Sequence, residues 1–461
     1  MKLYKGKKVL VVGLARTGIA AAEFLLQNGA EIIINDIQAE SALAAPVQEI
    51  RAAAKRFGGE VRFELGRHDP QTFRQAELVV VSPGVPMAMA PIQAALAAGI
   101  AVISEIELAF RHLRGRIIGI TGSNGKTTTT TLAGEVLKAG GLRCCVAGNI
   151  GSPLIGFVED STPEDLYVTE ISSFQLEGIA RFRPFIGVLL NITPNHMDRY
   201  SSFAAYAKAK YGLFGNQTAA DYAILNADNA PAAGAASALR SNLMWFSRHQ
   251  ELDQGLFRRG DHFIFRNGDQ EQTLLSTSDI PLKGGHNQEN VLAALAVGIL
   301  CRVEAQTMQG VVSRFPGVEH RLEFVCAING VDYYNDSKAT SVDATIKVIE
   351  SFAGNLLLIL GGKDKGGDFT TLRAGMSGRV KHVLLIGAAG DTIARALEGC
   401  VPMTRCADLN DVVAKAAAMA RPGDTIVLAP ACASFDMFDN FEHRGRVFKA
   451  EVLAYKNSIP S

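Results

Sequence analysis

The sequence predicts an α/β protein of three domains built on mostly parallel sheets. Length is the first ground: 461 residues can supply about three cores of ordinary size. Alternation is the second, since strand-length apolar runs are repeatedly followed by helical stretches, the pattern of βαβ units. The third is where those runs end. Most close on glycine-rich or polar loops, which a doubly wound sheet collects along its carboxyl rim. The divisions are expected at 1–105, 106–317 and 318–461.

Bulk composition excludes several classes. Lys plus Arg and Asp plus Glu number 46 each, so no net charge draws the chain toward nucleic acid or an acidic membrane. The basic opening, Met1 to Lys8, runs straight into Val9-Leu10-Val11-Val12, too short for the apolar core of a secretion signal. No stretch approaches the ~20 uncharged apolar residues of a membrane-spanning helix. The seven cysteines are odd in number and contain no C-x-x-C, which fits reduced thiols used as small core residues. A cytoplasmic protein is expected, with no nucleic-acid partner and no membrane insertion.

The first domain opens strand, turn, helix, strand: Val9 to Val12, Gly13-Leu14-Ala15-Arg16-Thr17-Gly18, Ile19 to Asn28, then Glu31 to Asn35. Asp36 follows about 20 residues beyond Gly13, the place of a ribose-binding acid in a dinucleotide fold. Ala15 replaces the middle glycine of G-x-G-x-x-G, the one that lets backbone approach a pyrophosphate. A Rossmann-like nucleotide site is therefore expected, without NAD. Leu78-Val79-Val80-Val81 is a second apolar strand, ending in Ser82-Pro83-Gly84-Val85. That loop is either a ligand-facing rim loop or a rigid Pro-Gly turn. The alanine-rich segments 39–56 and 88–98 read as packing helices.

The middle domain is organised around Gly119-Ile120-Thr121-Gly122-Ser123-Asn124-Gly125-Lys126-Thr127-Thr128. Arg116 to Ile120 reads as a buried strand and Thr129 to Ala139 as a helix. Glycines between them let backbone N–H groups turn inward around an anion, and the helix start adds N–H groups and partial positive charge. Lys126 puts a full charge on outer phosphates, and the Thr127 hydroxyl suits Mg²⁺. The spacing is T-G-x-x-G-K-T, because Ile120 stands where G-x-x-x-x-G-K-[ST] needs its first glycine. A P-loop ATPase-like cradle is expected; the plain alternative is a glycine-rich turn with an exposed lysine.

Downstream, Leu166 to Glu170 is a strand ending in a carboxylate able to reach a metal at that loop. Ile186 to Leu190 ends in Asn191-Ile192-Thr193-Pro194-Asn195-His196-Met197-Asp198-Arg199, which brings His196 to a neighbouring strand end. It is either a capping histidine or a metal ligand. Lys208 and Lys210 lie on a helix over Phe203 to Phe214, where solvated lysines are the ordinary reading. Asn287 and Asn290 open an apolar helix and share a face. They are either a cap with a surface partner or amides reading a base or phosphate.

A change of pattern at Phe315-Pro316-Gly317 opens the third domain, which is again expected to be Rossmann-like. Its strands are expected at Asp332 to Asn335, Leu356 to Leu360, His382 to Ile386 and Thr425 to Leu428. The loops that follow carry Lys338, Lys363 and Lys365, a concentration of positive charge suited to a carboxylate-bearing small substrate and a phosphate.

The motifs T-G-S-N-G-K-T-T, T-E-I-S-S-F-Q-L, N-H-M-D-R, H-N-x-x-N, E-H-R, N-D-S-K-A-T and P-A-C-A-S-F-D stand in this order along the chain. Together they closely resemble the muramyl peptide ligases over its whole length. The G-x-A-x-T-G turn, Ser82-Pro83-Gly84 and Asn440-Phe441-Glu442-His443-Arg444-Gly445 look most like the branch that adds D-glutamate. The D-N-P-R motif of the diamino-acid-adding branch is absent.

The resemblance implies an ATP-driven amide synthesis in peptidoglycan precursor assembly. The carboxylate of UDP-N-acetylmuramoyl-L-alanine would take the γ-phosphoryl group as an acyl phosphate, which the amine of D-glutamate then attacks. It further implies ATP contacts from Gly122, Ser123, Asn124, Gly125, Lys126, Thr127, Thr128, Asn287, Asn290, Arg321 and Asp336. Thr127, Glu170, His196 and Lys210, the last as a CO₂-derived carbamate, would hold Mg²⁺, with two ions expected. Lys126, Glu170, His196 and Lys210 would be the catalytic set. Ala15, Arg16, Thr17, Asp36, Ser82, Gly84 and Asn149 would bind the UDP substrate, and Lys338, Thr340, Lys365, Ser434 and Phe441 would frame D-glutamate. A monomer closing by hinge rotation near 105 and 317 is expected.

Two positions depart from the family pattern. Gln38 replaces a basic residue two after Asp36, and Asn195 stands where an acid is often found. Three other readings compete. A folate-type glutamate ligase would not need residues 1–105, a NAD-dependent oxidoreductase would leave the cradle idle, and a non-catalytic nucleotide sensor would not need the C-terminal lysine loops.

Overall fold

A computed structural model describes residues 2–195, 197 and 199–459. It has three mainly parallel sheets, as the strand-and-loop alternation indicates. Two compact units contain them: Met1–Asp279 with Glu289–Ser313, and Ile280–Gln288 with Arg314–Ser461.

The first sheet runs Val61–Leu65, Glu31–Asp36, Lys8–Val12, Leu78–Val81, Ala101–Ser104, all parallel. Val9 to Val12 are fully buried, as expected of a parallel strand covered on both faces. Strand order reverses beside Lys8–Val12, so the loops after it and after Leu78–Val81 flank the crevice where such sheets take ligands. The two edge strands were not anticipated from sequence. Val61–Leu65 is only half-buried, and Ala101–Ser104 is four residues long.

In the second, nine-stranded sheet, Arg116–Thr121 pairs in parallel with Leu166–Glu170 on one side and Ile186–Leu189 on the other. Ile120 stands opposite Glu170, and Thr121 opposite Leu189. That register puts three carboxyl ends side by side. Cys144–Gly148 closes one edge; Tyr222–Asn226, Asn242–Ser247 and Gly255–Arg259 extend the other, followed by the antiparallel strands His262–Asn267 and Gln270–Ser276.

Both sheets of this unit share one apolar cluster that includes Phe24, Ile106, Ile155, Phe182 and Tyr206. Two buried carboxylates sit just past Ala101–Ser104, where the first sheet hands over to the second. Glu105 accepts the Ile155 N–H at 2.7 Å, and Glu107 accepts the N–H groups of Ala180, Arg181 and Phe182 plus Arg111 Nε.

The second unit holds a six-stranded sheet: Glu323–Ile328, Val331–Asn335, Thr425–Leu428, Leu356–Gly361, Val380–Ile386, Met403–Arg405. Only the first pair is antiparallel. Alternation along one strand builds two cores, Leu356, Leu358 and Leu360 facing one cluster and Leu357 and Ile359 the other. Of the seven cysteines, all free, Cys326 and Cys432 are buried in the cores, and Cys145, Cys400 and Cys406 are partly buried against them, so most serve as small core residues.

Candidate active site

The glycine-rich loop is shaped from three directions. The helix after it is Lys126–Ala139, three residues longer at its start than expected, because Gly125 caps it in the left-handed region at φ 83°. A Cβ on Gly125 would also stand 2.1 Å from Asn290 Oδ1, so conformation and contact both require glycine. Asn290 Oδ1 in turn accepts Thr129 Oγ1–H at 3.3 Å.

The second direction is Asn191, which sequence reasoning quoted only as part of the segment leading to His196. Asn191, just beyond Ile186–Leu189, accepts the Asn124 N–H on Oδ1 at 2.9 Å and donates Nδ2 to the Asn124 carbonyl at 3.2 Å. Its own carbonyl takes the Ser123 N–H at 2.9 Å. Ser123 Oγ completes the seam, accepting the Thr193 N–H at 3.0 Å beside Tyr206 OH at 2.9 Å. Sequence offers only an asparagine directly after a buried strand; that this strand lies beside the glycine loop comes from the sheet register. With Ser123 and Asn124 N–H groups spent on this seam, the supply for an anion is the first turn of the helix, which has no intrahelical acceptors.

The third direction is cationic. Lys126 Nζ donates to the carbonyls of Gly122 (2.9 Å) and Ser123 (3.0 Å), and Lys210 Nζ donates to Gly122 at 2.8 Å. Lys210 is 1% exposed, on the helix Phe203–Tyr211, which ends sooner than expected and passes into a short 3-10 turn. Burial holds its amine well below the ordinary lysine range; the charge of Lys126 pushes the same way and that of Glu170 opposes.

Thr127 and Glu170 lie beside these amines. Glu170 Oε1 accepts Asn149 Nδ2 at 2.8 Å, while Glu170 Oε2 and Thr127 Oγ1 are buried without a hydrogen-bond partner. Two unpaired buried oxygens, one of them anionic, are the donor chemistry that a hard cation takes. Among the described residues no group of three or more His, Cys, Asp and Glu gathers for an ion. His196 and Asp198 lie outside the described residues.

In the first sheet's crevice, Asp36 is committed to backbone. Oδ2 accepts the Leu14 N–H at 2.8 Å and Oδ1 the Gln38 N–H at 2.9 Å, so it shapes the turn carrying Ala15. Ser82 Oγ donates to the Gly13 carbonyl at 2.8 Å, and Thr17 Oγ1 is 3.5 Å from Ser82 Oγ. Arg16 Nη1 reaches the Gly151 carbonyl at 3.1 Å, close in sequence to Asn149. Gly84 offers its carbonyl to Arg199.

In the second unit the loops after Val331–Asn335, Leu356–Gly361, Val380–Ile386 and Thr425–Leu428 share one rim. Sequence reasoning quoted Arg444 only within a motif. Its buried guanidinium bonds Ser337 Oγ (2.9 Å) and the carbonyls of Ser337, Cys432 and Ala433, lacing two loops together. Burial pushes it down to about 10. Lys338 Nζ lies 5.6 Å from the Phe441 ring centroid, Ser434 is buried and Lys365 is exposed. The Thr340 N–H bonds the Lys338 carbonyl at 2.8 Å, and Asn287 Nδ2 bonds that of Lys283 at 2.7 Å. Burial raises the Asp336 carboxyl to about 7 against the pull of Arg321.

Comparison with known proteins adds the following. Residues 7–104 match the Mur ligase MurD-like N-terminal domain, 120–298 the Mur ligase middle domain and 320–432 the Mur ligase glutamate ligase domain. The chain is 48% identical over 448 residues to UDP-N-acetylmuramoylalanine--D-glutamate ligase of Koribacter versatilis, covering 97% of each. It is likewise 48% identical over 456 residues to the protein of that name from Acidobacterium capsulatum, covering 98% of each. Among solved structures, UDP-N-acetylmuramate-alanine ligase MurC from Thermotoga maritima shares the fold at a TM-score of 0.59 and 16% identity, covering 98% of this chain and 100% of that one. MurF ligase from Thermotoga maritima in complex with ADP does so at 0.58 and 16%, covering 98% and 97%.

Proposed function

The chain belongs to the Mur ligase family, and from that premise we propose that it joins D-glutamate to UDP-N-acetylmuramoyl-L-alanine with cleavage of ATP. It is an ATP-dependent acid–amino-acid ligase of peptidoglycan precursor synthesis. The single observation that carries the chemistry is the convergence of Lys126 and Lys210 on the Gly122 carbonyl, with Glu170 close enough to act on the Lys210 amine and with buried, unpartnered oxygens on Thr127 and Glu170.

A carboxylate is a poor electrophile. In the first step a carboxylate oxygen of the acceptor bonds the γ-phosphorus as the bond to ADP breaks. In the second the D-glutamate nitrogen bonds the acyl carbon, gives up a proton, and phosphate leaves with the carboxylate oxygen. The protein's part is placement and charge. Gly122, Ser123, Asn124, Gly125, Thr127 and Thr128 would form the triphosphate cradle, Ser123 and Asn124 by fixing the loop against Asn191, with Lys126 turning from its loop carbonyls to the outer phosphates. Asn287, Asn290, Arg321 and Asp336 would contact the rest of ATP. Ala15, Arg16, Thr17, Asp36, Ser82, Gly84 and Asn149 would bind the UDP acceptor. Lys338 and Lys365 would answer the D-glutamate carboxylates, with Thr340, Ser434 and Phe441 around them.

Thr127, Glu170, His196 and a carbamate on Lys210 would hold Mg²⁺. When bound, it supplies neutralisation of phosphate charge. The lowered Lys210 amine supports the carbamate, because only a neutral amine has the lone pair that attacks CO₂. The same reading divides the chain at 105 and 317 and has it act as a monomer in the cytoplasm.

The test is phosphate release from ATP with one component varied at a time. Release that needs both UDP-N-acetylmuramoyl-L-alanine and D-glutamate is expected. Equal rates with L-glutamate or meso-diaminopimelate would overturn the assignment.

A further inference from the structure

We propose that Arg199 is a positioning residue for the nucleotide-sugar acceptor, holding the Ser82–Val85 loop at a fixed place relative to Glu170. Arg199 closes the N-H-M-D-R motif but has no part in the chemistry above. Its guanidinium donates Nη1 to the Gly84 carbonyl at 3.2 Å and Nη2 to the Val85 carbonyl at 2.9 Å. The same group sits over the element that follows Glu170: Cζ is 3.9 Å from the Phe174 ring centroid, and Nη2 is 4.0 Å from Glu177 Oε2. Phe174, on the short helix Ser173–Leu176 that follows Glu170, is backed by Tyr200 in a stacked pair at 6.0 Å. The arginine side chain is 16% exposed, so these contacts are sheltered from bulk water.

One side chain thus ties the acceptor loop of the first sheet to the helix that follows Glu170 in the second. The tie reaches further than Gly84. Val85 and Ser82 pack where a Cβ on Gly13 would be, at 3.0 and 2.9 Å, and Ser82 Oγ bonds the Gly13 carbonyl. The two loops flanking the crevice are therefore packed and hydrogen-bonded to each other, and Arg199 bonds one of them. A ligand bound at one end in the crevice and reacting at the other beside Glu170 needs that separation fixed. Arginine suits the post because its planar fork serves two carbonyl oxygens while its face stacks on a ring; a lysine ammonium does only part of this.

The inference rests on reading the Ser82–Val85 loop as acceptor-binding, and calorimetry separates the two. UDP-N-acetylmuramoyl-L-alanine and, separately, ADP are titrated into the native protein, Arg199→Met and Arg199→Lys. Native protein that takes no acceptor would sink the functional reading and this inference with it. With native binding established, Arg199→Met is expected to weaken the acceptor by about tenfold and Arg199→Lys by less, while ADP stays within about twofold. An unchanged acceptor affinity in Arg199→Met overturns the proposal, as does an equal loss for acceptor and ADP, the mark of a purely structural brace. If Arg199→Met does not fold, Arg199→Lys decides: native melting with weaker acceptor binding supports the role, and native affinity overturns it.

Discussion

Lys126 and Lys210 donate to the same oxygen, the carbonyl of Gly122, at 2.9 and 2.8 Å. Two ammonium groups on one acceptor repel each other, and one of them is buried. Burial and the charge of Lys126 both push the Lys210 amine toward its neutral form. Arrival of phosphate oxygens gives Lys126 a better partner than its own loop. The same pair therefore explains a nucleophilic buried amine and an anion site.

The first consequence concerns stability. A lysine whose folded-state value lies below its unfolded value of about 10.4 leaves the unfolded chain binding more protons, so native stability rises with pH until about 10.4. In CO₂-free buffer, Lys210→Met should melt above the native protein at pH 7. That advantage should shrink as pH climbs toward 10. A difference that is flat with pH would contradict the buried-amine account.

Turnover should respond in the opposite sense. Lys210→Ala is expected to lose about a hundredfold or more in rate, the scale of removing one charge-stabilising group. Short carboxylates such as formate or acetate, added in excess, should restore part of it by replacing the carbamate anion. Absence of recovery across a full concentration series would leave the carbamate without support.

Gly125→Ala should remove ATP binding. The substitution meets a positive φ of 83°, costing about 1–2 kcal/mol, and puts a methyl group 2.1 Å from Asn290 Oδ1. The loop or Asn290 must shift, and the helix start with it. Nucleotide titration that matches the native protein would show that the cradle tolerates the change.

Glu105 offers a pH test away from the chemistry. Burial raises its carboxyl from 4.5 to about 7, although the Ile155 and Leu154 N–H groups pull it down. The folded chain then holds the proton longer than the unfolded one, so stability falls as pH rises from about 4.5 to about 7 and is level above. Glu105→Gln keeps an acceptor for the Ile155 N–H and removes the charge. It should gain up to about 3 kcal/mol at pH 8 and lose the slope between 4.5 and 7, read by urea melts. A variant less stable than native at pH 8 would contradict this.

How far the sequence could be read depended on burial. Leu78–Val81 was visible with its bounds because a strand covered on both faces is an unbroken apolar run. Gln270–Ser276 was not, since its first four residues are exposed at the sheet edge and read as loop. The glycine loop announced itself through composition, whereas its brace at Asn191 depends on which strands are neighbours, and one strand's tail carries no sign of that. Asp36 stood where a ribose acid stands, yet both its oxygens hold backbone N–H groups. Spacing gives position, and only coordinates give the hydrogen-bond partner.

The central claim is that an acid is made reactive by phosphoryl transfer at the Lys126 loop before the amine arrives. Its most direct measurement follows one oxygen atom. UDP-N-acetylmuramoyl-L-alanine carrying heavy oxygen in its carboxylate is turned over with ATP and D-glutamate, and the released phosphate is weighed by mass spectrometry. One heavy oxygen per phosphate is the expected result. Phosphate without label, alongside amide product, would contradict the acyl phosphate and the reading of the site built on it.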